Sequence, residues 1–202
     1  DIATPVPPGR VTELIEQADL RAIPTGIDHG TITAICDGIP FEIKTLRRDV
    51  ATFGRHARVS YTTDWQEDAA RRDLTLNALY CDLDGTVFDP VGGLDDLKEG
   101  RIRFVGDARA RIEEDVLRLL RFFRFYAYYG VGTADPEAVA ACREMAPQIE
   151  TLSVERVWKE MSRLLMAPDP APTFDLMATN GVLSNLLPEV VHSDRLPALI
   201  KA

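Results

Sequence analysis

Residues 113–125 read EEDVLRLLRFFRF, three carboxylates and then an arginine at every third step, Arg118, Arg121 and Arg124. At about 100° per residue, a helix here puts Val116, Leu119, Leu120, Phe123 and Tyr126 on one flank and gathers Glu114, Arg118, Arg121 and Arg124 within about 120° on the other, with Asp115 at the seam. That apolar flank decides the fold of the second half of the chain, because a 3.6-residue period opposite a charged face is the pattern of an amphipathic helix laid on a core. Taken alone, the charged side is a solvated face with one i,i+4 pair, Glu114 to Arg118, worth roughly a few tenths of a kcal/mol.

Working outward, only helical signals follow Asp107: helices are expected at about 107–129, 136–149, 153–166 and 171–180, with stops at YGVGTADP, ETLS and APDPAP. The first half reads differently. Pro7 and Pro8 open a helix that carries Val11, Leu14, Ile15 and Ala18 on one stripe. Between Leu20 and Leu46 the pattern shortens to RAIPTG, GTITAIC and PFEIKTL, a small sheet with a hairpin turn at Asp37-Gly38. Residues 47–63 are polar and basic without a clean period and read as a mobile loop around Gly54. A helix is expected from about Asp64 to Tyr80, then a second hairpin at Asp84-Gly85, then a turn, a short helix and a short strand over PVGGLDDLKEGRIRFVG. The expected fold class is α+β: a head with a small mixed sheet over residues 1–89, a connector over 90–106, and an all-helical part over 107–202.

Composition narrows the function classes. The 202 residues are 46% hydrophobic and 27% charged, ordinary for a globular chain able to bury a core. No apolar run reaches the length of a membrane span and DIATPVPPGR has no signal-peptide pattern, so the chain reads as cytoplasmic with no membrane partner. Cys36, Cys81 and Cys142 are too widely spaced for a zinc site or a disulfide framework and read as buried free thiols. A net charge of -9 argues against a nonspecific polyanion binder, so a nucleic-acid site would have to be a local basic patch.

The residues able to carry chemistry are few. Asp1 and Glu42 lie in strand-like segments beside Ile2, Phe41 and Ile43, so alternation puts each carboxylate on the face opposite its apolar neighbours. On adjacent strands the two acids would converge, and converged carboxylates need a cation between them, such as a magnesium ion serving a phosphate substrate. In AARRDLTLNAL, residues 69–79, Asp73 is placed to cap a helix whose first turn holds Thr75, leaving Arg71 and Arg72 as paired guanidiniums suited to a triphosphate. The plainer alternative is a surface pair balanced by Glu67 and Asp68. In DPVGGLDDL, residues 89–97, Gly92 and Gly93 permit a tight bend.

In order and wording these segments resemble the class II tRNA nucleotidyltransferase and poly(A) polymerase family, the CCA-adding enzymes and their relatives. DIAT resembles the second half of the family's D-x-D-x-x-T metal motif with Asp1 as its second aspartate, and FEIKTLR the strand bearing a third acid, matched by Glu42. DAARRDLTLNAL is similar to the RRD motif, DPVGGLDDL to the hinge, EEDVLRLLR to the E-D-x-x-R motif, and SVERVWKE at 153–160 to a later motif that stabilises the preceding helix.

The resemblance implies a polymerase-beta-like nucleotidyltransferase head followed by a helical neck and the start of a body. It implies addition of CCA to the 3′ end of tRNA from CTP and ATP with release of pyrophosphate, in a two-metal reaction using Mg2+. Asp1 and Glu42 would be catalytic metal ligands; Arg71, Arg72, Asp73 and Asn77 would bind nucleotide. Asp115 and Arg118 would read the base edge, with Glu114 and Arg121 supporting them or reaching the triphosphate. The stretch TFGRHARVSYTTDW at 52–65 resembles the longer loop of CCA-adding members rather than that of poly(A) polymerases. In the family pattern a Gly-rich G-G-x-x-R-D segment and the first metal aspartate would precede Asp1, and a further body and tail would follow, so the resemblance implies a fragment of a longer protein. A poly(A) polymerase or a CC- or A-adding specialist would carry the same motifs. From a different class, a noncatalytic RNA-binding module derived from this fold remains the alternative.

Overall fold

Asp37 and Gly38 both hold positive φ, 50° and 79°, the backbone that matches a two-residue turn to the right-handed twist of its strands. The expected Asp37-Gly38 hairpin therefore forms, pairing β3 (Thr31–Cys36) with β4 (Ile39–Thr45). The structure, a computed structural model, describes residues 1–53 and 56–187, and residues 49–53 and 56–58 by backbone only. The short β1 (Ile2–Thr4) runs parallel to β4, and β2 (Arg21–Gly26) antiparallel to β3, giving a mixed sheet in the order β1-β4-β3-β2. Helix α1 (Pro8–Gln17), begun by its proline, buries Val11 and Ile15 against Ile32 and Ala34 of β3, with Ile43 of β4 packed alongside. Alternation puts Ile2 and Phe41 on the α1 side of the sheet, yet they stay 49% and 42% exposed, because α1 covers Ile32 and Ala34 and leaves the outer ends of β1 and β4 uncovered.

Where a loop was expected, β5 (Arg47–Phe53) and β6 (His56–Tyr61) form an antiparallel ribbon. The expected centre of that loop, Gly54, lies outside the described residues. Helix α2 (Trp65–Ala70) starts at Asp64, whose side chain accepts the Gln66 amide at 2.8 Å, and stops before the arginines. The predicted helix to Tyr80 is replaced by a 3₁₀ turn at Thr75–Ala78 and by β7 (Tyr80–Cys81), which pairs with β8 (Val87–Phe88) around the expected Asp84-Gly85 turn.

The helical elements are α3 (Gly93–Glu99), α4 (Ala108–Glu114), α5 (Leu117–Tyr129), α6 (Pro136–Met145), α7 (Val154–Leu165), α8 (Ala171–Thr179) and α9 (Val182–Leu186), with a 3₁₀ turn at Ala146–Thr151. Leu119, Leu120, Phe122 and Phe123 of α5 are buried, in one core with Met161 and Leu164 of α7 and Met177 of α8. Two points differ from the expected pattern. The predicted helix over 107–129 is two helices, and the one over 136–149 gives way at Met145 to the 3₁₀ turn. Among the described residues no helix is long and apolar enough to cross a membrane. The three cysteines are free thiols, of which Cys142 is buried while Cys36 is partly buried and Cys81 exposed.

The chain forms two compact units, Asp1–Arg72 with Tyr80–Val91, and Asp73–Leu79 with the chain from Gly92 onward. The expected limits were residue 89 and a separate connector over 90–106. Instead Pro90 and Val91 stay with the first unit and residues 92–106 belong to the helical unit, where Leu74 bridges to Phe104, the Thr75 hydroxyl donates to buried Asp96 at 2.7 Å, and Arg103 Nε donates to the same carboxylate at 2.9 Å. The glycines of the bend do different jobs. Gly92 takes φ 78°, whereas at Gly93 a Cβ would sit 2.2 Å from the Thr75 carbonyl oxygen, so only glycine lets α3 begin there.

Candidate active site

In the first unit, parallel pairing of Ile2 with Ile43 brings Asp1 beside Glu42, both on the sheet face away from α1. The acids converge as expected, and the cation between them is Lys44, whose Nζ lies 2.6 Å from Asp1 Oδ2 and 3.0 Å from Glu42 Oε2. Hydrogen bonding and charge from Lys44 hold the Glu42 carboxyl below its ordinary range. Among the described residues no group of three His, Cys, Asp or Glu side chains is placed to hold a metal. What the strands supply is a pair of hard oxygen donors already converged on one positive charge, a donor set that fits a divalent ion as part of its shell.

Arg71 and Arg72 are not the free pair expected. Both clamp Asp68, which is completely buried: Arg71 Nη2 lies 2.6 Å from Oδ1 and Arg72 Nη2 2.7 Å from Oδ2. Each arginine adds a second bond through Nε, Tyr80 donates its hydroxyl to Oδ2 at 2.6 Å, and the Arg47 amide donates to Oδ1 at 3.1 Å. Burial works against ionising Asp68, but the charges of Arg71 and Arg72 and the hydroxyl of Tyr80 outweigh it and hold the carboxyl at about 2. Tyr80 in turn packs edge-on against Trp65, ring centroids 4.9 Å apart, and its hydroxyl is pushed up by burial and by Asp68.

In the helical unit Asp73 does not cap the turn at Thr75. It accepts from Arg121 Nε on α5 and from Asn77 Nδ2 at 3.1 Å, and although burial opposes its charge, Arg121 keeps its carboxyl below the ordinary range. Asp115 stands in extended backbone (φ -155°) between α4 and α5, and its Oδ1 accepts the Leu117 amide at 3.2 Å as a helix cap does. Its Oδ2 accepts Arg156 Nη2 of α7 at 2.7 Å. Arg118 is bound to Glu114 and donates Nη1 to the Arg111 carbonyl at 3.1 Å; Arg111 also pairs with Glu114 at 2.8 Å. Arg124 pairs with buried Glu160 of α7 and lies 4.2 Å from the Phe125 ring centre.

The charged side of α5 is thus a set of fixed pairs rather than a solvated face. The structure brings together Asp73, Asn77 and Arg121, and separately Glu114, Asp115 and Arg118, each within the helical unit; Asp1 with Glu42, and Arg71 with Arg72, belong to the other. Four residues that hold these groups had been passed over as sites: Asp68, Tyr80, Arg156 and Glu160. Asp68 has a signal in spacing, a carboxylate with arginines three and four residues on, and Arg156 and Glu160 lie in the SVERVWKE stretch, whose resemblance implied support of the preceding helix without naming their partners.

Comparison with known proteins bears on the family and the fold. A family model described as "Poly A polymerase head domain" matches residues 1–103, and one described as "Probable RNA and SrmB- binding site of polymerase A" matches 133–193. The chain is 48% identical over 169 residues to human mitochondrial CCA tRNA nucleotidyltransferase 1, covering 82% of this chain and 39% of that protein. It is 43% identical over 152 residues to the CCA-adding enzyme of Streptococcus pyogenes serotype M1, covering 73% of this chain and 37% of that one. Among solved structures, the Bacillus stearothermophilus CCA-adding enzyme in complex with CTP superimposes with a TM-score of 0.79 at 34% identity, over 89% of this chain and 42% of that one. The chain therefore spans about two fifths of the length of these relatives.

Proposed function

Since the chain belongs to the poly(A) polymerase head-domain family, within the class II CCA-adding enzymes and their kin, we propose that the whole protein is a template-independent RNA nucleotidyltransferase. It adds C, C and A to the 3′ end of tRNA from CTP and ATP and releases pyrophosphate. The first unit serves as the nucleotidyltransferase head and the helical unit as the neck and start of the body. The observation that carries this proposal is the double anchoring of Asp115, by Leu117 and by Arg156, beside an Arg118 fixed through Glu114.

Anchored in this way, an acceptor and a planar donor suit the Watson-Crick edges of cytosine and adenine. Both bases carry an exocyclic amine that Asp115 accepts and a ring nitrogen that takes an Arg118 N–H, while guanine and uracil present the opposite polarity there. Each Asp115 oxygen accepts one bond in the structure and a carboxylate has about four lone-pair sites, so acceptor capacity remains for the base. Arg72 uses Nε and Nη2 on Asp68, which orients its guanidinium, and a guanidinium held this way suits a phosphate oxygen. Asp73, which accepts from both Asn77 and Arg121, would position these groups for the ribose of the nucleotide.

Nucleotidyltransferases of this family use divalent metals. Asp1 and Glu42 would hold Mg2+, which when bound lowers the pKa of the RNA 3′-hydroxyl and offsets triphosphate charge. The proposed compartment is the cytoplasm; the mitochondrial vertebrate relatives make that organelle the alternative, which fractionation of tagged full-length protein decides.

Incubating full-length protein with tRNA lacking its 3′ end and each nucleotide singly or in pairs, then sequencing the ends, tests the activity. Addition of two C from CTP and a following A from ATP is the expected product. Long tails from ATP alone would identify a poly(A) polymerase, and unchanged ends with retained tRNA binding would identify a noncatalytic module.

A further inference from the structure

Lys44 sits between the two carboxylates that the proposed function gives to a metal. Its position is built in by the sheet: Lys44 and Glu42 are two residues apart on β4 and share one face, and the parallel register sets Ala3 opposite Lys44, which brings Asp1 within reach. One ammonium contacts both acids, at 2.6 Å and 3.0 Å. Its side chain is about one-third exposed, while the acids are 63% and 50% exposed, so it can leave the pair for water without unpacking any core. A divalent ion and this ammonium cannot occupy the same gap, since each needs the same inward-facing oxygens.

We propose that Lys44 is a built-in placeholder for the metal: it keeps Asp1 and Glu42 converged when no metal is bound and is displaced when one arrives. This rests on the assignment of Asp1 and Glu42 as metal ligands. Two consequences follow from charge alone. Without Lys44 the metal-free acid pair is left repelling itself, and the metal no longer competes with an internal cation. Exposed ion pairs are individually weak, so removing this competition should tighten metal binding by about three- to tenfold rather than by orders of magnitude. Lysine suits the role because its ammonium is a compact charge on a flexible stem that water solvates readily once released.

The test uses full-length protein and Mn2+, whose free concentration is followed by electron paramagnetic resonance. Lys44→Met should bind Mn2+ about three- to tenfold more tightly than wild type, and Lys44→Arg, which keeps a cation, should not. In chelator the Lys44→Met protein should melt below wild type, with Mn2+ closing that gap. Glu42→Gln identifies the site being read. If Glu42→Gln weakens Mn2+ binding but Lys44→Met leaves it unchanged or weaker, the placeholder role is overturned and the acid pair stands. If Glu42→Gln has no effect on Mn2+ binding, the acid pair is not the metal site and both proposals fall.

Discussion

Arg156 on α7 reaches across to Asp115 at the junction of α4 and α5, Nη2 to Oδ2 at 2.7 Å, and so fixes the carboxylate proposed to read the base. Both partners are about 30% exposed, so the pair adds little to stability, at most about 1 kcal/mol. Its use is geometric. Arg156→Ala should leave the melting temperature nearly unchanged yet degrade nucleotide choice, as should Asp115→Asn, which turns an acceptor into a donor, and Arg118→Lys, which loses the planar fork. Loss of a bidentate match corresponds to about 1–3 kcal/mol of discrimination. Sequencing of added 3′ ends from the full-length variants checks this; wild-type fidelity in all three would remove base reading from this stretch.

Arg72→Ala should raise the KM for CTP and for ATP together, by about ten- to a hundredfold, since a charged hydrogen bond to phosphate is worth roughly 1.5–3 kcal/mol and ignores the base. Steady-state kinetics with each nucleotide decides the matter. A rise for one nucleotide alone would move Arg72 into the base-reading group.

Asp68 predicts an acid limit for the first unit. Its folded carboxyl titrates at about 2 against an ordinary 3.8, so its ionised form stabilises the fold above the unfolded value and that contribution is lost as pH falls from about 3.8 through about 2. The span corresponds to about 2 kcal/mol. Urea unfolding of wild type should show this loss between pH 4 and pH 2, and Asp68→Asn should lack it. The variant should also be less stable at neutral pH, by up to about 3 kcal/mol, the cost of leaving two partly buried arginines without their carboxylate. Parallel pH dependence in both proteins would contradict the clamp.

Gly93→Ala should cost more than Gly92→Ala. The first forces a Cβ to 2.2 Å from a backbone oxygen that cannot move aside without shifting the Thr75–Ala78 turn, while the second costs only the strain of positive φ, about 1 kcal/mol. Thermal melts of the two variants should separate them clearly; equal losses would show that the close approach relaxes freely.

Local signals in the sequence were enough for the Asp37-Gly38 hairpin, the three strands around it and the proline-started α1, because each is set by residues a few positions apart. The β5–β6 ribbon was missed for an equally local reason: its register shifts between Asp49 and Ala51, and a bulge breaks the period of two by which strands are recognised. The junction at Asp115 was invisible because the apolar spacing continues on both sides of it, with no Gly or Pro to mark the stop. Site partners were hardest. Asp73 looks like a cap beside Thr75, but its partner Arg121 lies 48 residues away, and Arg156 lies 41 from Asp115. Neighbours of that kind are set by packing, and composition or spacing carries no trace of them.

The helical unit takes Asp73–Leu79 from within the sequence of the first unit. A gene cut at residue 91 would therefore not yield an autonomous helical module: it would lack Leu74 from its core, the Thr75 hydroxyl that meets Asp96, and the carboxylate that meets Arg121. The reverse fragment would carry those seven residues with nothing to receive them. Domain grafting thus has no clean seam at the bend, and a transplant of the helical unit has to carry residues 73–79 with it.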